Sequence, residues 1–210
     1  MPAILWDWNG TLLDDTQAAI DTLNIMLAAR GGTPIGRAFY RAHFAFPVKP
    51  FYESIGVVLA DEDWNALARE YHEVYGRQPR QLNRETMAAL ERVRAVGARQ
   101  SIISALRQDL LDRETKTFGV APYMDFVCGV DNLNGTSKIE RARELMARLD
   151  PADAVLIGDS LHDKEVADAV GIRCVLCGQG SHATDRLRAV APTGETLLEA
   201  VGLALAPAGQ

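Results

Sequence analysis

The chain has no surplus of positive charge: 22 Lys and Arg stand against 28 Asp and Glu, a net charge of −6. Its basic residues are scattered. Nucleic-acid binding usually needs a basic patch, so no nucleic-acid partner is expected. No apolar run approaches the roughly 18 residues that span a bilayer, so no membrane partner is expected either. Met1 and Pro2 lead straight into an apolar stretch carrying Asp7, with no basic segment ahead of it, which argues against a secretory signal. Cysteine is scarce and odd in number (Cys128, Cys174 and Cys177). That fits a reducing compartment better than a disulfide scaffold, and a cytoplasmic location is expected. Internal repeats and low-complexity tracts are also lacking.

What is there is an ordinary globular composition in 210 residues, enough for one core or for a core with a smaller insertion. Short apolar, β-branched runs at Ala3–Trp6, Ser101–Ile103, Asp125–Val130, Ala154–Ile157 and Ile172–Leu176 lack strict alternation. They read as strands buried on both faces, as in a parallel sheet. Between them lie helical patterns: Met87, Leu90 and Val93 recur three apart, and Ile139, Ala142, Leu145 and Leu149 three or four apart. This alternation predicts a doubly wound α/β sheet. Cys174 and Cys177 fall on the last predicted strand and are expected to be packed thiols rather than a metal or redox pair.

From Asp15 to about Arg80 the rhythm breaks. Ile20, Leu23 and Leu27 mark one helix, capped by Asp15 or Thr16 and ended by Gly31 and Gly32. Trp64, Leu67, Ala68 and Tyr71 mark another, from about Glu62 to Tyr75. An aromatic-rich stretch interrupted by Pro47 and Pro50 joins them. Its Phe39, Tyr40, Phe44, Phe46, Phe51 and Tyr52 are expected to form a core of their own. Residues 15–81 are therefore expected to be a helical domain inserted into an α/β domain made of 1–14 and 82–210, placed to cover the sheet's carboxyl edge.

Ligands of open α/β sheets bind outside the carboxyl ends of the strands, and three predicted strands end in polar residues. The first ends in Asp7, followed by Asn9, Gly10 and Thr11; the second in Ser104; the fourth in Asp159, with Asp163 four residues on. Lys138 opens an intervening helix. A nucleophilic carboxylate, further acids, a hydroxyl and a cation equip a crevice for phosphoryl transfer through an aspartyl-phosphate. A divalent ion bridging Asp7 and Asp159 would offset the repulsion between carboxylate and phosphate, and oxygen ligands suit Mg²⁺. Lys138 would steady the transferring group, and Ser104 would donate to a phosphate oxygen. Gly10 would allow a tight backbone path, and Thr11 would supply a hydroxyl and an N–H.

"DWNGTL" resembles the DxDGT motif of the haloacid dehalogenase (HAD) superfamily, and Ser104, Lys138 and "GDSLHD" match its three other motifs in order. The inserted helices resemble the helical cap of phosphoglycolate phosphatase-like and β-phosphoglucomutase-like members. The resemblance covers nearly the whole chain. It implies a Rossmann-like core, Asp7 as nucleophile, and Mg²⁺ held by Asp7, the Asn9 main-chain carbonyl and Asp159. Asp163 would be a ligand through water or a partner of the ligands. The implied activity is hydrolysis of a small phosphorylated metabolite.

The sequence departs from that pattern at Asn9, where family phosphatases carry an Asp that protonates the leaving alcohol and later activates water. An amide does neither, and such catalysis is typically worth about 10²–10⁴-fold. Three explanations stay open: a leaving group that needs little protonation (acyl, enol, aryl or anhydride phosphate); a substitute acid or base among His43, Glu53 and His162; or a protein that binds a phosphorylated ligand and turns it over poorly. A phosphonate or other branch of the superfamily is a further alternative, although Asp159 disfavours the metal-free dehalogenases. Arg37, Arg41 and Lys49 are weaker candidates for contact with an anionic substrate. Asp14 and Asp15 are read as helix caps, and His182, on an expected mobile loop, is given no role. Substrate identity and oligomeric state are not legible.

Overall fold

The computed structural model describes residues 3–58, 63–134, 137–149 and 154–207. Strand β1 (Ala3–Trp6) is buried at every position, which is why its sequence shows no polar alternation. Ile4 and Trp6 point into one core and Ala3 and Leu5 into the other, the period of two expected of a strand. A tight loop leads to β2 (Leu13–Asp14).

Among the described residues the insertion follows as four helices: α1 (Thr16–Ala29), α2 (Arg37–His43), α3 (Val48–Ser54) and α4 (Trp64–Gly76). The chain returns through β3 (Gln81–Leu82), which pairs antiparallel with β2. Sequence patterning gave no sign of this two-residue ladder, since so short a strand carries no periodicity. The insertion has its own core, with Ile20, Leu23 and Leu27 of α1 packed against Tyr40, Phe44, Phe51 and Leu67. Phe39 is not part of it; the ring is exposed and stacks on His43.

The α/β rhythm then runs through α5 (Thr86–Ala95), β4 (Arg99–Arg107), α6 (Gln108–Thr117), β5 (Phe126–Val130) and α7 (Ile139–Met146). It ends with β6 (Ala154–Gly158), α8 (Leu161–Val170), β7 (Arg173–Cys177), α9 (Thr184–Arg188), β8 (Thr193–Gly194) and α10 (Leu197–Leu205). The six strands pair in parallel in the order β5-β4-β1-β6-β7-β8. One face packs on α5, α6 and α10, the other on α7 and α8. This is the doubly wound parallel α/β sheet that the sequence predicts. Edge strand β8 was missed because it holds only two residues.

Two side chains depart from the predicted stripes. Met87 is exposed, and Ala89 takes its place beside Leu90 and Val93, because a strict three-residue period drifts off one face of a 3.6-residue helix. Leu149 is buried, but α7 stops at Met146. The predicted start of α4 at Glu62 lies outside the described residues. The sheet order reverses around β1, which has β4 on one side and β6 on the other. The crevice at the carboxyl ends of these three strands is where such a fold binds ligands.

Candidate active site

The loop after β1 turns back on itself. Trp8 accepts at its carbonyl from the N–H groups of Thr11 (3.3 Å) and Leu13 (2.9 Å). The buried Trp8 ring is anchored by Nε1 donating to Glu114 at 2.7 Å. Gly10 adopts φ 80°, a left-handed conformation costly for other residues. A Cβ there would lie 2.3 Å from an Asp159 oxygen. The backbone is thus drawn tightly against the second carboxylate, and Gly158 makes equivalent room for the Asp163 carboxylate, 2.2 Å from where its Cβ would be.

Ligating oxygens of Asp7, Asp159 and Asp163 lie within 4.8 Å of one another, all buried. Lys138, at the start of α7, reaches the same point. Its Nζ hydrogen-bonds Asp7 Oδ1, pairs with Asp163 Oδ1 at 2.7 Å and donates to the Ile103 carbonyl at 3.2 Å. Thr11 Oγ1 bridges Asp7 (3.4 Å) and Asp159 (3.3 Å). Asp163 Oδ2 accepts from the N–H groups of Asp159 and Ser160 and from Ser160 Oγ. With its other oxygen on Lys138, Asp163 braces the site, while Asp7 and Asp159 keep lone pairs facing the cavity. Ser104 Oγ accepts from Leu106 N–H at 3.0 Å, which leaves its own hydrogen to donate.

Burial pushes the Asp7 carboxyl well above its usual range even against Lys138, and burial together with Asp163 raises Asp159 to about 7. Burial acts the same way on Asp163, but Lys138 and the Ser160 hydrogen bond outweigh it and hold this carboxyl below its usual value. Lys138 resists desolvation through Asp163 and Asp7 and is raised. The ammonium and Asp163 are therefore a fixed pair, whereas the bonds of Asp7 to Lys138 and of Asp159 to Thr11 and the Ser181 N–H do not outweigh the effect of burial on them.

Asn9 has partners that its sequence position did not reveal. Its Nδ2 donates to Asp15 Oδ2 at 2.8 Å and to Tyr75 Oη at 3.0 Å, while Tyr75 Oη donates to the same Asp15 oxygen at 2.5 Å. Asp15 Oδ1 accepts from Gly10 N–H at 2.7 Å. Asp15 occupies the N-cap position of α1, yet its side chain makes no capping bond. The cap reading is corrected: a buried carboxylate fixes the amide instead. Asp14 is exposed on β2 and caps nothing.

A cavity of about 130 Å³ opens over Asp7, Ser104, Lys138 and Asp159. Its far wall comes from the insertion and includes Phe44, Phe46, Tyr52, Trp64, Tyr71 and Tyr75. The other sequence candidates scatter. His43 and Glu53 are exposed and do not line the cavity; His43 bonds to the Phe39 carbonyl, and Glu53 pairs with Lys49 at 3.9 Å. Lys49 projects over Trp64 from outside. Arg37 and Arg41 turn away to carbonyls of the loop after β7, Arg41 reaching Gly178 (2.6 Å) and His182 (2.8 Å). Arg186 returns the clamp by donating to the carbonyls of Arg41 and Phe44.

His162 does line the cavity. Phe46 stacks on it at 5.0 Å, its Nδ1 meets Glu165 at 3.0 Å, and its buried Nε2 has no partner among the described residues. Burial lowers its pKa, so it is neutral near pH 7. His182 is buried and accepts from Leu161 N–H at 3.0 Å. Burial lowers it to about 4, which makes it a structural acceptor at the start of α8. Cys174 and Cys177 are free thiols buried on β7, and burial raises Cys177 to about 12; both are packed and unreactive.

The profile described as haloacid dehalogenase-like hydrolase matches residues 4–177. A phosphoglycolate phosphatase from Rhodobacter capsulatus is 26% identical over 197 residues, covering 87% of each chain. A haloacid dehalogenase-like hydrolase from Streptococcus pneumoniae superposes with a TM-score of 0.80 at 19% identity, over 97% of this chain and 98% of that one. Protein tyrosine kinase A of Mycobacterium tuberculosis shares the fold with a TM-score of 0.77 at 22% identity, over 98% and 99% of the two chains.

Proposed function

We propose that this chain, which belongs to the haloacid dehalogenase-like hydrolase family, is a Mg²⁺-dependent phosphatase of a small phosphorylated metabolite that works through a phosphorylated Asp7. The observation that carries the reading is the charge balance of the crevice. Three buried carboxylates meet one buried ammonium, and buried charge without a partner is strongly disfavoured. The site therefore fits a divalent cation, and its all-oxygen donor set suits a hard one. Asp7, Asp159 and the Asn9 carbonyl would hold it, with Asp163 bracing Lys138. When bound, the ion offsets the repulsion between carboxylate and phosphate.

The protein's own groups divide the remaining work. Asp7 attacks phosphorus. Lys138, fixed by Asp163, and the Ser104 hydroxyl stabilise the equatorial oxygens. Thr11 orients Asp7. Residues 15–81 act as a cap that seals the cavity from bulk water. The name of the Rhodobacter relative supports phosphatase chemistry here, and that of the mycobacterial neighbour also concerns a phosphoryl group.

The test is release of inorganic phosphate from a panel of phosphate esters in Mg²⁺, by wild type and Asp7→Asn. Wild type is expected to turn over at least one ester and, on acid quench, to carry one added phosphoryl group on the peptide holding Asp7. Equal rates in the two proteins across the panel would sink the reading. The protein would then be a phosphate-ligand-binding relative, the alternative that the locked Asn9 amide favours.

A further inference from the structure

We propose that the substrate is an aryl phosphate monoester: an uncharged aromatic ring joined to the phosphate through a phenolic oxygen. The inference rests on the phosphatase reading and names its substrate class. Two independent features lead to it, the wall facing Asp7 and the amide beside it.

The wall is mainly aromatic, and the carboxylate it contributes, Asp15, is already tied to Asn9, Gly10 and Tyr75. Among the described residues that line the cavity, Lys138 is the one cation, and Asp163 and Asp7 already hold it. The cationic side chains of the insertion point elsewhere: Arg37 and Arg41 to loop carbonyls, Lys49 to Glu53, and Arg80 to Glu114. A substrate carrying a carboxylate or second phosphate would bury that charge unpaired, which is strongly disfavoured. Tyr75 Oη is engaged with Asp15, so this tyrosine offers the ligand its ring rather than a free hydroxyl. A flat apolar ring suits such a wall, since aromatic pairs gain from edge and offset contacts beyond simple burial.

The amide points the same way from the chemical side. In the first step a bond forms between an Asp7 oxygen and phosphorus, and the bond from phosphorus to the ester oxygen breaks. The electron pair leaves on that ester oxygen. Asn9 has no proton to give, and both its amide hydrogens are directed at Asp15 and Tyr75. An alkoxide departs poorly without a proton. A phenolate, whose conjugate acid has a pKa of about 10, departs unaided and takes its proton from water afterwards. In the second step water attacks phosphorus, the bond to Asp7 breaks, and the proton of the water passes to the departing phosphate. The sum is aryl phosphate plus water giving phenol plus inorganic phosphate.

The experiment separates ring from leaving group with purified full-length protein in Mg²⁺. Phenyl phosphate has both; benzyl phosphate keeps the ring on an alkyl oxygen; acetyl phosphate has a good leaving group and no ring; glycerol phosphate has neither. Phosphotyrosine adds an ammonium and a carboxylate to the phenyl case. Phenyl phosphate is expected to exceed benzyl phosphate by about 100-fold in kcat, the lower end of what an absent general acid is worth. Benzyl phosphate should inhibit with a Ki near the phenyl KM. The phenyl preference over acetyl phosphate in kcat/KM should be tenfold or more, and should fall about tenfold in Trp64→Ala and in Phe46→Leu. Phosphotyrosine should be poorer than phenyl phosphate.

Benzyl or glycerol phosphate turning over as fast as phenyl phosphate would overturn the proposal while leaving a phosphatase. So would a kcat/KM for acetyl phosphate that matches phenyl phosphate, phosphotyrosine as the better substrate, or a phenyl preference untouched in both wall variants. Absence of turnover on every ester, with wild type equal to Asp7→Asn, would instead remove the phosphatase reading on which the proposal stands.

Discussion

The two walls of the cavity are built on opposite principles. On the sheet side every functional group is charged or polar, and nearly every atom has a named partner: Lys138 on Asp7 and Asp163, Thr11 between Asp7 and Asp159, Asp163 across the start of α8. On the insertion side the groups are mostly rings, packed on a core of their own, with Asp15 at their edge. On the proposed function the first wall would address only the atoms that all phosphate esters share, and the second the rest of the molecule. Chemistry and specificity would then reside in different parts of the chain.

Changes on the charged wall should be the most damaging. Asp7→Asn removes the proposed nucleophile, and turnover should fall by on the order of 10⁴-fold or more. Phosphate release in Mg²⁺ measures it; a loss confined to KM would show that Asp7 binds rather than reacts.

The boundary between the walls is Asn9, and its variants sharpen the comparison. Asn9→Asp sets a second carboxylate 2.8 Å from Asp15. It should cost about 1–3 kcal/mol in denaturant unfolding, with little gain on alkyl esters. Exchanging the pair, Asn9→Asp with Asp15→Asn, restores one amide against one acid. Alkyl phosphate turnover should then rise about 100-fold. If the single change does as well as the pair, Asp15 does not control position 9.

Titration offers a gentler probe. The folded-state pKa of Asp159, about 7, lies above the unfolded value near 3.9. A raised carboxyl gives stability that is present below the unfolded value and is lost as pH rises through the folded one. Metal-free protein should therefore melt a few degrees lower at pH 7.5 than at pH 5.5. On the proposed function Mg²⁺ would bind the ionised form, so it should reverse the trend and bind more tightly as pH rises. Scanning calorimetry with and without the ion distinguishes these slopes; parallel curves would mean that Asp159 does not face the cation.

The smallest effect belongs to the tie between the walls. Arg41→Ala removes the bonds to Gly178 and His182, and Tm should drop a few degrees, for a loss of roughly 1–3 kcal/mol. A change in kcat for phenyl phosphate larger than about threefold would mean that the clamp does more than hold α2 in place.

The charged wall was far more legible than the aromatic one. Strands such as β1 and β6 reveal themselves as apolar runs, and a doubly wound sheet brings their carboxyl ends together, so Asp7 and Asp159 could be placed from the sequence. Ser104 and Lys138 are single residues without a local pattern, and only the order of motifs singled them out. Arg41 and Lys49 misled because charge in a sequence carries no direction; one turned to a loop and the other to solvent. Tyr75 escaped notice because its partner lies 66 residues away at Asn9. Asp15 was hidden by a sound local argument, since an acid before a helix usually caps it, and here a long-range amide and a tyrosine won instead.

The Asn9–Asp15–Tyr75 triangle bears on which descendants this chain can have. Replacing the amide with an acid first places two carboxylates side by side. Replacing Asp15 first strands the Gly10 N–H and the Tyr75 hydroxyl that it now satisfies. Either order passes through a weaker intermediate, so positions 9 and 15 are epistatic. The triangle works as a latch: across that 2.8 Å contact, a single change at either position costs stability that only the matching change at the other restores.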